Sequence, residues 1–189
     1  TAPATAGGKT FTGWTGDVNN SSQTISLSMT GNKTVTANYT TPNYTLTVNS
    51  SGASGVSITS STAHEGTTNY TKTMLSGTSV TLTAPSTAGA YTFTGWTGDA
   101  TSSNQTISFS MSGTKTVTAN YVIPTLTVNS SGASGVSISS STGHGGTTNY
   151  TKTMLSGTSV TLTAPSTAGG NTFTGWTGDT TTATNPLSL

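Results

Sequence analysis

The sequence has 189 residues, of which only 5% are charged and roughly two in five are Ser or Thr. Its net charge is +1 and nothing in it forms a basic patch, so we do not expect nucleic acid as a partner. The absence of cysteine excludes disulfides and thiolate metal ligands. It contains no apolar run long enough to cross a bilayer, so we expect no membrane insertion of this segment.

The chain repeats itself with a period near 80. Gly-Trp-Thr-Gly-Asp occurs three times, with tryptophans at positions 14, 96 and 176 that lie 82 and 80 residues apart. This spacing is too long for a solenoid coil and fits a small domain. We therefore predict the C-terminal half of a repeat over 1–41, a complete repeat over 42–121 and a repeat without its last strands over 122–189. We interpret the sequence as a segment of a longer tandem array.

The complete repeat has strict period-two patterning, in which Val80, Leu82 and Ala84 alternate with threonines. Such alternation predicts strands, and Gly, Asn, Ser and Pro clusters mark the turns between them. No segment has a helical pattern. In chain order we predict seven short strands: Tyr44–Asn49, Gly55–Thr59, Thr68–Met74, Thr78–Ala84, Thr92–Trp96, Thr106–Met111 and Thr114–Tyr121.

Each predicted strand has one apolar and one hydroxylated face, as in an antiparallel sheet with one dry side. Two such sheets packed together form a sandwich. We therefore predict an all-β fold of tandem small antiparallel β-sandwich-like repeats of about 80 residues. Because the core of so small a unit is thin, large side chains should dominate it. They are Leu46, Leu82, Phe93, Trp96, Phe109 and Tyr121.

The aromatic motif supplies the candidate structural site. Trp96 could stack on sugars, but Phe93 and neighbouring glycines favour a core position at a tight turn. Asp99 could be a catalytic or cross-linking carboxylate, but bonds to backbone N–H groups of its own turn explain it better. The motif residues in the three copies are Phe11, Trp14, Asp17, Phe93, Trp96, Asp99, Phe173, Trp176 and Asp179.

Other polar residues give weaker signals. His64 and His144 recur singly, which makes a poor metal site, and Glu65 becomes Gly145 in the next copy. Lys72 or Lys115 could form an internal bond to an asparagine, or Gln105 one to a threonine, as in some bacterial adhesin domains. Such residues co-occur by chance in this composition, however. We therefore expect no catalytic, cofactor-binding or metal-binding residue. Because no nucleophile–base–acid set recurs, we do not expect an enzyme.

Three segments carry a resemblance to a known family: Thr78–Pro85, Phe93–Asp99 and Lys115–Tyr121. Together they closely resemble the divergent internalin-B B-repeat family, although Ser60–Thr73 makes the first half of this copy longer. The resemblance implies an extracellular, β-rich module that occurs in tandem in bacterial surface and secreted proteins. It also implies no catalytic residues.

These observations favour a structural repeat module of a bacterial cell-surface or secreted stalk, fibre or adhesin. The alternative is a glycan-binding accessory module of a secreted enzyme. Expected partners are neighbouring repeats of the same chain, like chains in a fibre and surface glycans, and the expected location is extracellular or at the cell surface. Only Val122–Thr125 separate the last core residue of one repeat from the first of the next, which predicts a semi-rigid rod with a slightly looser first junction.

Overall fold

A computed structural model describes residues 1–189 and contains strands and turns but no helix. It thus holds no helix that could cross a membrane. The all-β prediction is confirmed. The chain divides into two units, one of residues 1–85 with 94–120 and the other of residues 86–93 with 121–189.

The first 41 residues form an antiparallel sheet in the order β1-β2-β3, which leaves β3 at an edge. A bulge between Phe11 and Gly13 interrupts the pairing of β2 with β3. Tyr39 donates a hydrogen bond from its hydroxyl to the Pro3 carbonyl at 3.1 Å. The three strands are β1 (Thr5–Ala6), β2 (Lys9–Gly16) and β3 (Val35–Thr40).

The complete repeat builds its main sheet in the order β7-β4-β12-β10-β9, with separate pairs β11-β8 and β5-β6. All seven strands predicted here are present, with two short additions, β6 and β9. The strands are β4 (Asn43–Ser51), β5 (Ser57–Ile58), β6 (Gly66–Thr67), β7 (Tyr70–Leu75), β8 (Ser79–Thr83), β9 (Thr87–Ala88), β10 (Tyr91–Gly98), β11 (Thr106–Ser110) and β12 (Lys115–Val122).

The core of the complete repeat follows the alternation of the sequence. Leu46 and Val48 on β4 and Val117 and Ala119 on β12 are fully buried, whereas the threonines between them are not. Burial of such side chains stabilises the fold by about 1.5–3 kcal/mol for each Val or Leu. The strands β5, β8 and β11 add further buried residues: Ile58, Val80, Leu82 and Ile107.

One strand pair departs from the antiparallel prediction. β12 pairs with β4 in parallel, with Lys115 opposite Leu46 and Asn120 opposite Ser51. The prediction was wrong for this pair because alternation reveals the dry face of a strand but not the direction of its neighbour. The first and last strands of the repeat therefore run side by side in the same direction.

The third repeat consists of two-stranded pairs: β13-β16, β14-β15, β17-β20 and β18-β19. Its buried core is Val128, Ile138, Val160, Leu162 and Ala164, against which Leu126, Phe173 and Trp176 pack. The strands are β13 (Thr125–Val128), β14 (Ser137–Ile138), β15 (Gly146–Thr147), β16 (Tyr150–Thr153), β17 (Thr161–Leu162), β18 (Thr167–Ala168), β19 (Asn171–Thr172) and β20 (Leu187–Ser188).

Candidate functional site

The tryptophan of the complete repeat is a core anchor. Trp96 is 2% exposed, and its Nε1 donates a hydrogen bond to the Gln105 carbonyl at 2.8 Å. Its backbone N donates to the Ser102 carbonyl at 2.7 Å, where Gly95, with φ of 147°, leaves no room for a side chain. The buried indole has no free face on which a sugar could stack.

The other two tryptophans are only half-buried. Trp14 Nε1 lies 3.1 Å from the Ser22 carbonyl and 3.3 Å from that of Gln23. Trp176 Nε1 is buried without a hydrogen-bond partner. Phe11 and Phe173 each make an edge contact with the tryptophan of their own copy, with ring centroids 5.9 and 5.6 Å apart.

The aspartate of the motif connects the turn to the closing strand. Asp99 Oδ2 accepts a hydrogen bond from Thr116 N at 2.6 Å, and Asp99 N donates to the Thr116 carbonyl at 2.8 Å. Asp17 makes the same two bonds with Thr34, at 2.6 and 2.8 Å. We expected donors within the turn itself, but the donor lies 17 residues further along the chain. Asp179 is exposed, and no counterpart of Thr116 lies within residues 180–189.

Sequence reasoning missed the asparagine of the closing strand. Asn120 Nδ2 lies 3.1 Å from the Gly95 carbonyl, 3.0 Å from Thr97 Oγ1 and 3.2 Å from the Thr118 carbonyl. Asn38 makes the equivalent contacts in the first sheet. Recurrence of Thr-Ala-Asn-Tyr at both places was the available signal. With Asp99, this amide fastens the closing strand to the aromatic turn.

The histidines belong to a hydrogen-bonded loop. His64 Nδ1 lies 2.8 Å from Thr62 Oγ1, which also accepts a bond from Thr81 N at 3.0 Å. Tyr70 donates from its hydroxyl to the His64 carbonyl at 2.8 Å, and burial, aided by the charge of Glu65, raises the pKa of Tyr70 to about 12. His144 has the same contacts with Thr142 and Tyr150. No group of three potential metal ligands is present.

Neither Lys72 nor Lys152 makes a hydrogen bond to an asparagine side chain. Lys72 Nζ lies 3.4 Å from the Ala63 carbonyl, and Lys152 Nζ lies 3.3 Å from the Gly143 carbonyl. The Gln105 side chain is exposed. These lysines therefore fasten the histidine loop rather than approach a cross-linking partner.

An open groove lies beside β13 in the third repeat. Its volume is about 820 Å³. At the equivalent place in the complete repeat, β12 lies between β4 and β10. We call this feature the closing-strand groove; its apolar lining includes Leu126, Val128, Phe173, Trp176 and Leu187.

The fold and the recurring hydrogen bonds of Asp99 and Asn120 and their counterparts define a tandem-repeat protein with an all-β unit. The family model for the divergent InlB B-repeat domain matches residues 1–43, 44–123 and 136–188. The chain therefore belongs to the divergent InlB B-repeat family, which is associated with bacterial surface and extracellular proteins. Neither a curated protein nor a solved structure matches the chain significantly.

Proposed function

We propose that the chain is a non-catalytic spacer, a structural repeat module of a stalk, fibre or adhesin at a bacterial surface or in a secreted protein. The observation that carries this proposal is the parallel pairing of the first and last strands of the complete repeat. Neighbouring repeats of the same chain are its principal partners.

Parallel pairing separates the entry and the exit of the repeat. Lys115 lies level with Leu46 and Asn120 level with Ser51, so the chain leaves β12 at the end of the sheet opposite to its entry into β4. The nine residues of β4 span roughly 30 Å at about 3.3 Å per residue. Each added repeat should therefore advance the chain along the strand direction.

The connections between repeats are short. Two residues, 41 and 42, separate β3 from β4, and two residues, 123 and 124, separate β12 from β13. The second residue of each pair is proline, which fixes φ and stiffens the chain. The two extra residues at the first junction lengthen β4, which begins at Asn43, rather than the connection. These features support a semi-rigid rod of repeats.

The surface also suits a passive spacer. Exposed strand positions are mostly Thr and Ser, charged residues make up only 5% of the chain, and no cluster of metal-ligating residues occurs. The glycan-binding alternative loses its main support, because Trp96 is buried in the complete repeat.

Small-angle X-ray scattering tests the proposal. One, two and three additional copies of residues 42–121 are inserted into the 189-residue chain. The maximum dimension should grow linearly with copy number. A matched series with eight Gly and Ser residues inserted after residue 123 at each junction should grow more slowly, as a flexible chain does. Equal, sublinear growth in both series would reject the rod.

A further inference from the structure

The outer face of the five-stranded sheet carries a regular array of threonines. Thr47 of β4 lies between Thr71 of β7 and Thr116 of β12, so three neighbouring strands place threonines in one row. Thr45, opposite Thr73, starts a second row two residues away. All three strands lie within the complete repeat. We call this surface the threonine face; it consists of Thr45, Thr47, Thr71, Thr73, Thr116 and Thr118.

The threonine face carries no charge and no aromatic ring. The two charged residues of its strands, Lys72 and Lys115, both lie opposite Leu46 in the strand register. Leu46 is 0% exposed, and because alternate residues of a strand share a face, both lysines belong to the other side of the sheet. The tyrosines of the three strands alternate onto that side as well: Tyr44, Tyr70 and Tyr121. The threonine face therefore suits neither an ionic partner nor a sugar that needs a ring to stack on.

The hydroxyls of the threonine face have no partner within the protein, since none of the six is hydrogen-bonded to another of its groups. On the pair β8-β11, by contrast, hydroxyls of neighbouring strands satisfy one another. Thr81 Oγ1 lies 2.9 Å from Ser108 Oγ, and Thr83 Oγ1 lies 2.8 Å from Thr106 Oγ1. Because a threonine hydroxyl can donate one hydrogen bond and accept two, the threonine face offers a set of unused donors and acceptors.

The spacing of these hydroxyls follows from the geometry of the sheet. Neighbouring strands lie about 4.8 Å apart, and two residues along a strand span about 6.7 Å. Both distances are close to repeats of the oxygen lattice on a prism face of ice. Threonine is β-branched, so its χ1 angle is restricted and little side-chain freedom is lost when a ligand binds. The array therefore presents hydroxyls that are already ordered at the spacing of lattice water.

We propose that the threonine face binds ice, an uncharged lattice of water molecules whose donors and acceptors match its free hydroxyls. Neighbouring strands rotate by about 20–25°, so one face covers only a few lattice positions. The third repeat repeats the arrangement, with Thr125 opposite Thr153 and Thr127 opposite Thr151. Several faces on one chain turn weak contacts into firm attachment, because each contact after the first is intramolecular. This binding site goes beyond the spacer function and does not depend on it.

Partition of the 189-residue chain into slowly growing ice gives the first test, because solutes that do not bind ice stay in the liquid. Thr71→Lys with Thr151→Lys places a charge in the face of each repeat and should lower the amount in the ice by about tenfold or more, as several contacts are lost together. The matched control, Ser108→Lys with Ser188→Lys, adds the same charges at exposed positions of β11 and β20 and should behave like the unchanged chain. Circular dichroism checks that both variants keep their strands. Exclusion of the unchanged chain from the ice, or equal losses in the two variants, would overturn the proposal.

The shape and the freezing point of single ice crystals give a second readout. A face that adsorbs protein stops growing, so crystals in a solution of the chain should become faceted and should freeze below their melting point. The gap should widen as copies of residues 42–121 are inserted, since each copy adds a threonine face. Round crystals without a gap at every copy number would reject ice binding and leave the scattering test of the rod unaffected. Adsorption to microcrystalline cellulose but not to ice, with the same loss in Thr71→Lys with Thr151→Lys, would assign the face to a polysaccharide and also overturn the proposal.

Discussion

The complete repeat and the third repeat have nearly the same sequence but different structures. Tyr-Thr-Lys-Thr-Met-Leu is identical in both, yet it is a six-residue strand at Tyr70–Leu75 and a four-residue strand at Tyr150–Thr153. Trp96 lies in the eight-residue strand Tyr91–Gly98. The corresponding strand in the third repeat, Asn171–Thr172, has only two residues and ends before Trp176. Local propensity cannot explain this difference, so the neighbouring strand must.

The closing strand β12 accounts for the longer strands of the complete repeat. β12 is the neighbour of both β4 and β10. Its Thr116 N donates to Asp99, and its Asn120 side chain donates to Thr97 Oγ1. The third repeat contains no counterpart of β12 within this chain. One strand thus joins two strand pairs, the counterparts of β13-β16 and β18-β19, into a single five-stranded sheet.

The largest expected difference between the repeats concerns the tryptophans. Trp96→Ala should lower the free energy of unfolding by about 3–5 kcal/mol, because it leaves a cavity in a closed core. Trp176→Ala should cost clearly less, since that ring is half-buried. Urea unfolding with amide hydrogen exchange in Lys115–Val122 and Tyr150–Thr153 measures the two repeats separately. Equal losses would contradict the role given to the closing strand.

Gly98 and Gly178 occupy the same position in the two repeats but differ in the space around them. A Cβ at Gly98 would lie 2.3 Å from the Thr116 carbonyl oxygen, whereas nothing lies within 4 Å of one at Gly178. Both have positive φ, at 102° and 123°, so Ala brings backbone strain of about 1–3 kcal/mol at either site. Only Gly98→Ala should add a clash and separate β12 from the turn. Loss of amide protection at Thr116 in Gly98→Ala is the expected result, and its retention would speak against the clash.

The hydrogen bond between Asp99 and Thr116 should contribute less to the free energy of unfolding than Trp96 does. Asp99→Ala removes the acceptor of the Thr116 N–H and should cost about 1.5 kcal/mol, the lower end of the range for a hydrogen bond to a charged group. Asp99→Asn keeps an acceptor oxygen and should recover part of that loss. Asp179→Ala should leave stability unchanged, as this aspartate has no such bond. Thermal unfolding of the three variants measures the effects, and a loss in Asp179→Ala as large as that in Asp99→Ala would refute this assignment.

The smallest expected effect is a loss of stability at alkaline pH, which should occur in both repeats. The pKa of Tyr70 is raised from 10.0 to about 12 by burial and then by Glu65, and burial also raises that of Tyr150. A raised folded-state pKa means that the neutral phenol stabilises the fold below pH 10 and that this contribution disappears between pH 10 and 12. Tyr70→Phe should flatten the decline in stability over that range. An unchanged pH profile in this variant would assign the decline to other groups.

The sequence by itself determined the repeats, the strands and the buried position of Trp96. Alternation such as Val80-Thr81-Leu82 places one face in the core, and β8 is found there. Recurrence of the aromatic motif indicated a structural position, and Trp96 is among the largest fully buried side chains. The predicted repeat boundaries at 41/42 and 121/122 remain predictions.

Only the tertiary structure decided which strands become neighbours. The parallel pairing of β4 with β12, the Thr116 donor for Asp99 and the contacts of Asn120 join residues far apart in the chain. Period-two patterning tells which side of a strand is dry, but it is the same for a parallel and an antiparallel neighbour. It also says nothing about whether that neighbour is present, which is why two nearly identical sequences form strands of different lengths.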